Sequence, residues 1–144
     1  MGIIKRPKAP FEEHLNMVII EARDAYAKVM MPYRKKFTNP HGSIHGGAIV
    51  SLADTAMAVA IFSKYLHSSF YTVKLEIKFK SPANKGKIFA EAKVIDKRKR
   101  FIFGKVEIKD SKDKLLAQVL ATFYLTKEYT YAMKRRLFPP QGWK

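Results

Sequence analysis

At 144 residues and a formal net charge of +16, the chain has the length of one domain and is strongly basic. Such a charge suits nucleic acid, an anionic membrane surface or a phosphate-bearing substrate. It contains no cysteine, which excludes disulfides, thiolate nucleophiles and Cys-based metal sites. The opening Met-Gly-Ile-Ile-Lys-Arg-Pro-Lys lacks the apolar stretch of a secretory leader, so a cytoplasmic protein is expected.

Residues 11–15, following Pro10, predict a short helix with proline at its first turn. Residues 17–23 and 25–31 predict two short strands separated by Asp24. Residues 39–55 are the most informative stretch, because a His45-Gly46-Gly47 helix start is followed by one carboxylate, Asp54. Glycines at a helix N-terminus leave backbone N–H groups open to a negative or developing-negative oxygen. From 48 to 62 only Ser51, Asp54 and Thr55 are not apolar, so the helix is expected to be buried. A membrane span is not expected, since the run falls short of ~20 residues and Asp54 sits in its middle. Ser51, Asp54 and Thr55 share one helix face at i, i+3 and i+4, which Gly47 and Ala58 continue with small side chains. A carboxylate there serves either chemistry or a buried pairing with a basic neighbour.

Residues 71–79 alternate Tyr71, Val73, Leu75, Ile77 and Phe79 against Thr72, Lys74, Glu76 and Lys78, the pattern of a strand with one buried face. A turn at 81–86 follows, then strands at 88–95, 101–108 and 115–124. The basic run Lys97-Arg98-Lys99-Arg100 falls at one hairpin and residues 110–113 at the next. The tail from Thr126, with Lys134-Arg135-Arg136, Pro139-Pro140 and Gly142, is expected to be peripheral. One long buried helix followed by four consecutive antiparallel strands predicts an α+β fold in which a sheet wraps a helix. The sheet edges and the polar stripe of the helix need a partner, which a homodimer supplies.

Plainer roles exist for several of these residues. Asn39 before Pro40 suits a turn, His45 a helix start, and Gly42, Gly46 and Gly47 a backbone at positive φ. His14 and His67 have no evident partner, no histidine–carboxylate spacing suggests a metal site, and no metal is expected.

The pattern Asn39-x-x-Gly42-x-x-His45-Gly46-Gly47, continued by Ser51-Leu52-Ala53-Asp54-Thr55-Ala56, resembles the signature of the PaaI-like hotdog-fold acyl-CoA thioesterases. The Ser81-Pro82-Ala83 turn also falls where that family has one. The resemblance covers about 11–125 of a single domain, 1–144, leaving the basic tail 126–144 outside it. It implies a hotdog fold, an antiparallel sheet wrapped around one long central helix. Subunits of the family join sheets edge to edge as homodimers, and dimers commonly pair into homotetramers. By position match, Asp54 is the catalytic carboxylate, acting as general base or nucleophile. Gly46 supplies the N–H that polarises the thioester carbonyl, Asn39 and His45 help place thioester and water, and Thr72 supports the water. Gly47 lines the substrate site. No cofactor is implied beyond the coenzyme A of the acyl-CoA substrate.

Asp54 lies eight residues beyond Gly46, ~12 Å along one helix, too far for one carbonyl and its attacking water to bridge. The two groups are therefore expected to meet from different subunits, Asn39, His45 and Gly46 from one and Asp54 and Thr72 from the other. Arg98, Lys99 and Arg100, with Lys80 and Lys85, are candidates to hold the coenzyme A phosphates. Two other readings stay open at this point: a non-catalytic acyl-CoA-binding or regulatory hotdog module, and, from charge alone, a nucleic-acid-binding protein. A hotdog dehydratase is disfavoured by the arrangement of Asp54 and His45. Acyl specificity is not legible.

Overall fold

A computed structural model describes residues 9–66 and 68–127. His67, Lys134-Arg135-Arg136, Pro139-Pro140 and Gly142 lie outside the described residues. The order of elements is α1 (Pro10–His14), β1 (Val18–Arg23), β2 (Tyr26–Met31), a 3₁₀ turn (Lys35–Phe37), α2 (Gly46–Lys64), β3 (Ser69–Phe79), β4 (Ile88–Arg98), β5 (Phe101–Asp110) and β6 (Leu115–Lys127). All strands form one antiparallel sheet in the order β1-β2-β4-β5-β6-β3. This is the wrapped α+β architecture expected of a hotdog, but not the expected run of four neighbouring strands. β3 pairs with β6, and the chain crosses from that edge to the sheet interior before β4. Local alternation identifies a strand's faces and carries no information about its neighbour, which is why the order escaped the sequence.

The helix lies along the concave face, packed mainly against β2 and β4. Alanines on both sides permit the close approach: Ala53, Ala56 and Ala60 on α2 are fully buried, as are Ala27, Ala90, Ala92 and Ala117 on the strands. Leu52, Met57 and Ile61 fill the remaining space, each burial stabilising by about 1.5–3 kcal/mol. Gly104 on β5 is needed for this fit, since a Cβ there would overlap the Met57 side chain and stand 3.1 Å from the Lys93 carbonyl. At 19 residues with a mean hydropathy of 1.6, the helix is longer than the sequence suggested and satisfies the length and composition of a membrane span. What argues against one is its place in the centre of the sheet's core.

The two sheet edges differ. β1 is six residues long and broken by a bulge at Ile20, a device that blunts an edge. β3 is eleven residues long, its outer edge pairs with no strand among the described residues, and it makes few contacts with α2. Tyr71, Val73 and Phe79 are 55, 51 and 56 % exposed on it. β3 also departs from the predicted simple alternation. Its register with β6 shifts between Thr72 and Lys74, making Val73 a bulge residue. Phe70 and Thr72 therefore face inward with Leu125 and Phe123 opposite, while beyond the bulge Leu75, Ile77 and Phe79 take the inner face. Tyr71, which simple alternation placed with Leu75, instead faces outward against Tyr124. The extra residue switches the phase of the strand and so brings Thr72 to the helix side.

Candidate active site

The glycine-rich start of α2 is held from both directions. His45 N–H bonds the Phe37 carbonyl at 2.8 Å, and Ile44 N–H bonds that of Ala83 at 2.9 Å. Ser43 Oγ donates to Asn84 Oδ1 at 2.6 Å, and Tyr33 OH to the Gly42 carbonyl at 2.7 Å. The bonds to Ala83 and Asn84 tie the loop before the helix to the segment after β3, and those to Phe37 and Tyr33 tie it to the chain preceding it. Asn39 organises that loop: its Oδ1 accepts from the N–H groups of His41 at 2.9 Å and Ser43 at 3.2 Å. The turn role anticipated for Asn39 is thus real. It leaves the Nδ2 donors without an acceptor among the described residues.

His45 is the N-cap, and its Nδ1 accepts from Gly47 N–H at 2.8 Å. Nε2 is then the nitrogen that carries the proton of the neutral ring. This contact removes Gly47 from the set of free donors, against the expectation that it would meet substrate. Gly46, the first helical residue, keeps an N–H with no acceptor among the described residues. A Cβ on Gly47 would sit 3.0 Å from His45 Nδ1, so the missing side chain makes room for the cap. Gly46 opens onto a groove of about 570 Å³ lined by Asn39, Ser43, Ile49, Phe79, Lys80 and Pro82 among others.

Asp54 lies two turns along α2, half-buried, and accepts a hydrogen bond from Thr72 Oγ1 at 2.6 Å. Burial pushes its carboxyl above the ordinary carboxylate value, and the Thr72 hydroxyl pulls it partly back. Asp54 makes no ion pair among the described residues; its hydrogen-bond partner there is the Thr72 hydroxyl. Asn39 and Gly46 line the groove with His45 capping at its side, while Asp54 and Thr72 stand together outside it.

The basic candidates divide by what already occupies them. Arg98 Nε contacts Asp96 at 2.9 Å, and Arg100 donates to the Leu125 and Thr126 carbonyls at 3.2 and 3.1 Å, tying the hairpin to β6. Lys99 occupies the turn of that hairpin at φ 54°. None of the three lines the groove; Lys80 does, and Lys85 is exposed on the nearby crossover. Phe79, not anticipated as a site residue, also lines the groove, and only its place at the end of an apolar alternation marked it in the sequence. No cluster of metal-ligating side chains occurs among the described residues.

Residues 41–117 match the model of the thioesterase superfamily. The chain is 35 % identical over 118 residues to a protein of Archaeoglobus fulgidus named "Putative esterase", covering 81 % of this chain and 75 % of that one. It is 32 % identical over 111 residues to "Putative esterase SSO2140" of Saccharolobus solfataricus, covering 77 % and 79 %. Among solved structures, the PaaI protein from the phenylacetic acid degradation operon of E. coli superposes with a TM-score of 0.78 at 27 % identity, covering 83 % of this chain and 86 % of that chain. Sequence match and superposed fold agree with a glycine-started helix carrying one half-buried aspartate: the chain belongs to the thioesterase superfamily, as a PaaI-like hotdog protein.

Proposed function

We propose that the protein hydrolyses acyl-CoA thioesters at a site shared by two subunits. The observation that carries this reading is the Thr72–Asp54 hydrogen bond at the edge strand of the sheet, on a carboxylate whose burial raises its affinity for a proton. The Gly46 N–H of one subunit polarises the thioester carbonyl, and Asp54 of the other activates water or attacks directly. In the general-base route, water adds to the carbonyl carbon as its proton passes to Asp54, and the negative charge collects on the oxygen at Gly46. Collapse breaks the C–S bond, and the proton returns to the thiolate as it leaves, giving a carboxylic acid and coenzyme A. A donor aimed at that oxygen is worth ~10²–10³ in rate. Asn39 offers its free Nδ2 to the thioester, His45 holds the helix start that presents Gly46, and Thr72 orients Asp54 and the water. Lys80 meets the coenzyme A phosphates at the groove.

The charge pattern of β3 supports a definite pairing for the two subunits. In a symmetric antiparallel pair one residue near the strand centre lies opposite its own copy, and the two-fold axis passes between the two. Centred on Glu76, the pairing sets Glu76 against the partner's Glu76 and Lys74 against the partner's Lys78. Centred on Lys74, it sets Lys74 against the partner's Lys74. Centred on Leu75, it sets Lys74 against the partner's Glu76 twice over, with Leu75 meeting the partner's Leu75. Centred on Ile77, it sets Glu76 against the partner's Lys78 but also Lys74 against the partner's Lys80. Opposite-charge pairs contribute roughly 0.2–1 kcal/mol each and like charges oppose pairing, which favours the Leu75 centre, the one with opposite-charge pairs and no like-charged pair. Lys74 and Glu76, which bridge at 2.8 Å within the subunit, then form a four-charge cluster with their copies. This pairing also runs the Phe79 end of one strand, with Gly46 beneath it, toward the partner's Thr72 and Asp54. Ile95, Phe101 and Leu120, all exposed on the outer face, are where two such dimers pair into a tetramer.

The test is thiol release from a panel of acyl-CoAs by wild type and Asp54→Ala. Release that falls at least a hundredfold in the variant supports the assignment. Absent or equal release removes it in favour of a non-catalytic acyl-CoA-binding module.

A further inference from the structure

Phe79 is the last residue of β3 and faces inward opposite Ala117, yet it is 56 % exposed. Its ring lies against the start of α2: a Cβ on Gly46 would stand 3.4 Å from Phe79 Cζ and 3.6 Å from Cε1. The ring thus flanks the backbone whose N–H is open. The backbone on either side of Phe79 is also held firmly. The chain before it is in register with β6, and just after it the N–H groups of Lys80 and Ser81 both bond the Leu116 carbonyl, at 2.8 and 3.1 Å. The groove it borders has a mixed lining, with Phe79, Ile44 and Ile49 apolar and Asn39, Ser43 and Ser81 polar.

We propose that Phe79 is a specificity-determining residue, the fixed wall against which the first carbons of the acyl group lie. This rests on the thioesterase reading. An oxygen placed on the Gly46 N–H puts its carbonyl carbon next to the ring, and the carbonyl's two substituents then diverge. The amide-bearing pantetheine arm takes the polar rim, where its donors and acceptors find partners, and the hydrocarbon takes the side of Phe79 and Ile49. A ring this close to the carbonyl, on a backbone fixed by β6, accepts an unbranched acyl chain and crowds one with bulk at the α carbon. Phe79 does not take part in the chemistry; it selects what reaches it.

The experiment compares kcat/KM for butyryl-CoA and benzoyl-CoA in the wild type and in Phe79→Ala, Phe79→Leu and Phe79→Trp. Sedimentation checks the assembly state, and the pH profile of kcat is recorded for each. Changes of shape in an acyl pocket move discrimination by about 10–200-fold. The expected result is a benzoyl-to-butyryl ratio at least tenfold higher in Phe79→Ala, intermediate in Phe79→Leu and lowered in Phe79→Trp, with the acid limb of the profile unmoved. A residue that only supports the fold would lower both substrates together. Equal changes for the two esters, or an unchanged ratio, overturn the proposal while leaving the thioesterase reading standing. If Phe79→Ala fails to fold, the opposed shifts of the Leu and Trp variants decide. Absence of thiol release by the wild type from either ester or from the wider acyl-CoA panel overturns both.

Discussion

Replacing Thr72 by valine removes one hydroxyl and preserves the branched shape, so it isolates the hydrogen bond to Asp54. That bond is 2.6 Å long and opposes the upward push of burial on the Asp54 carboxyl. Without it the carboxyl binds its proton more tightly. Activity that needs ionised Asp54 then begins at higher pH, and the acid limb of kcat/KM moves upward. Hydrogen bonds to charged groups contribute about 1.5–3 kcal/mol. Thr72 is exposed within the subunit, which argues for the lower end, about 1.5 kcal/mol, roughly tenfold. The assay is thiol release from butyryl-CoA at closely spaced pH values for both proteins. The expected result is about a tenfold deficit on the acid side that shrinks as pH rises and Asp54 ionises in both. A deficit of the same size at every pH would mean that Thr72 acts only by placing water. A limb that stays put or moves toward acid would refute the electrostatic argument.

The same carboxyl sets a stability effect of opposite sense. Because its proton affinity is raised in the fold, the stability it contributes is fully present below the ordinary carboxylate value of about 3.9 and is lost as pH rises through the higher folded value. Asp54→Asn should therefore melt above the wild type at pH 7, with the difference closing near pH 3, as thermal unfolding across that range would show. Glu76→Lys sets lysine against lysine across the proposed axis and should weaken the dimer, while adding Lys74→Glu should restore it. Sedimentation equilibrium reads both, and a double variant no better than the single refutes the Leu75-centred register. Gly104→Ala forces a methyl into Met57 and the Lys93 carbonyl, an overpacking that costs about 1–3 kcal/mol and should lower Tm by several degrees in calorimetry.

Much of this molecule could be read before its structure was known, and the parts that could not share a physical character. The buried helix, its glycine start and Asp54 are local patterns in polarity and residue type, and they appeared where expected. The bulge at Val73 did not, because a period-two template has no place for an extra residue, and the shift depends on how β6 aligns with β3. The fate of the basic run was equally hidden. Arg98 is neutralised by a residue two positions away, but Arg100 is held by carbonyls 25 and 26 residues downstream. His45 could be placed at a helix start from sequence, whereas the use of its Nδ1 on Gly47 needed coordinates.

The strand order has a consequence for how the protein is made. β3 leaves the ribosome directly after α2, but the strand it pairs with, β6, begins 36 residues after β3 ends, at Leu115. Its other edge pairs with no strand among the described residues and, in the proposed dimer, waits for a second polypeptide. Until both arrive, Tyr71, Val73 and Phe79 sit on an unpaired strand of high β propensity, the kind of segment that sticks to its own kind in a crowded cell. Thr72 lies on that strand, so the contact that orients Asp54 is among the last in the molecule to form. A nascent chain stalled before Leu115 would contain Asp54 and the glycine loop but lack the strand that holds β3, and with it Thr72, in place beside them.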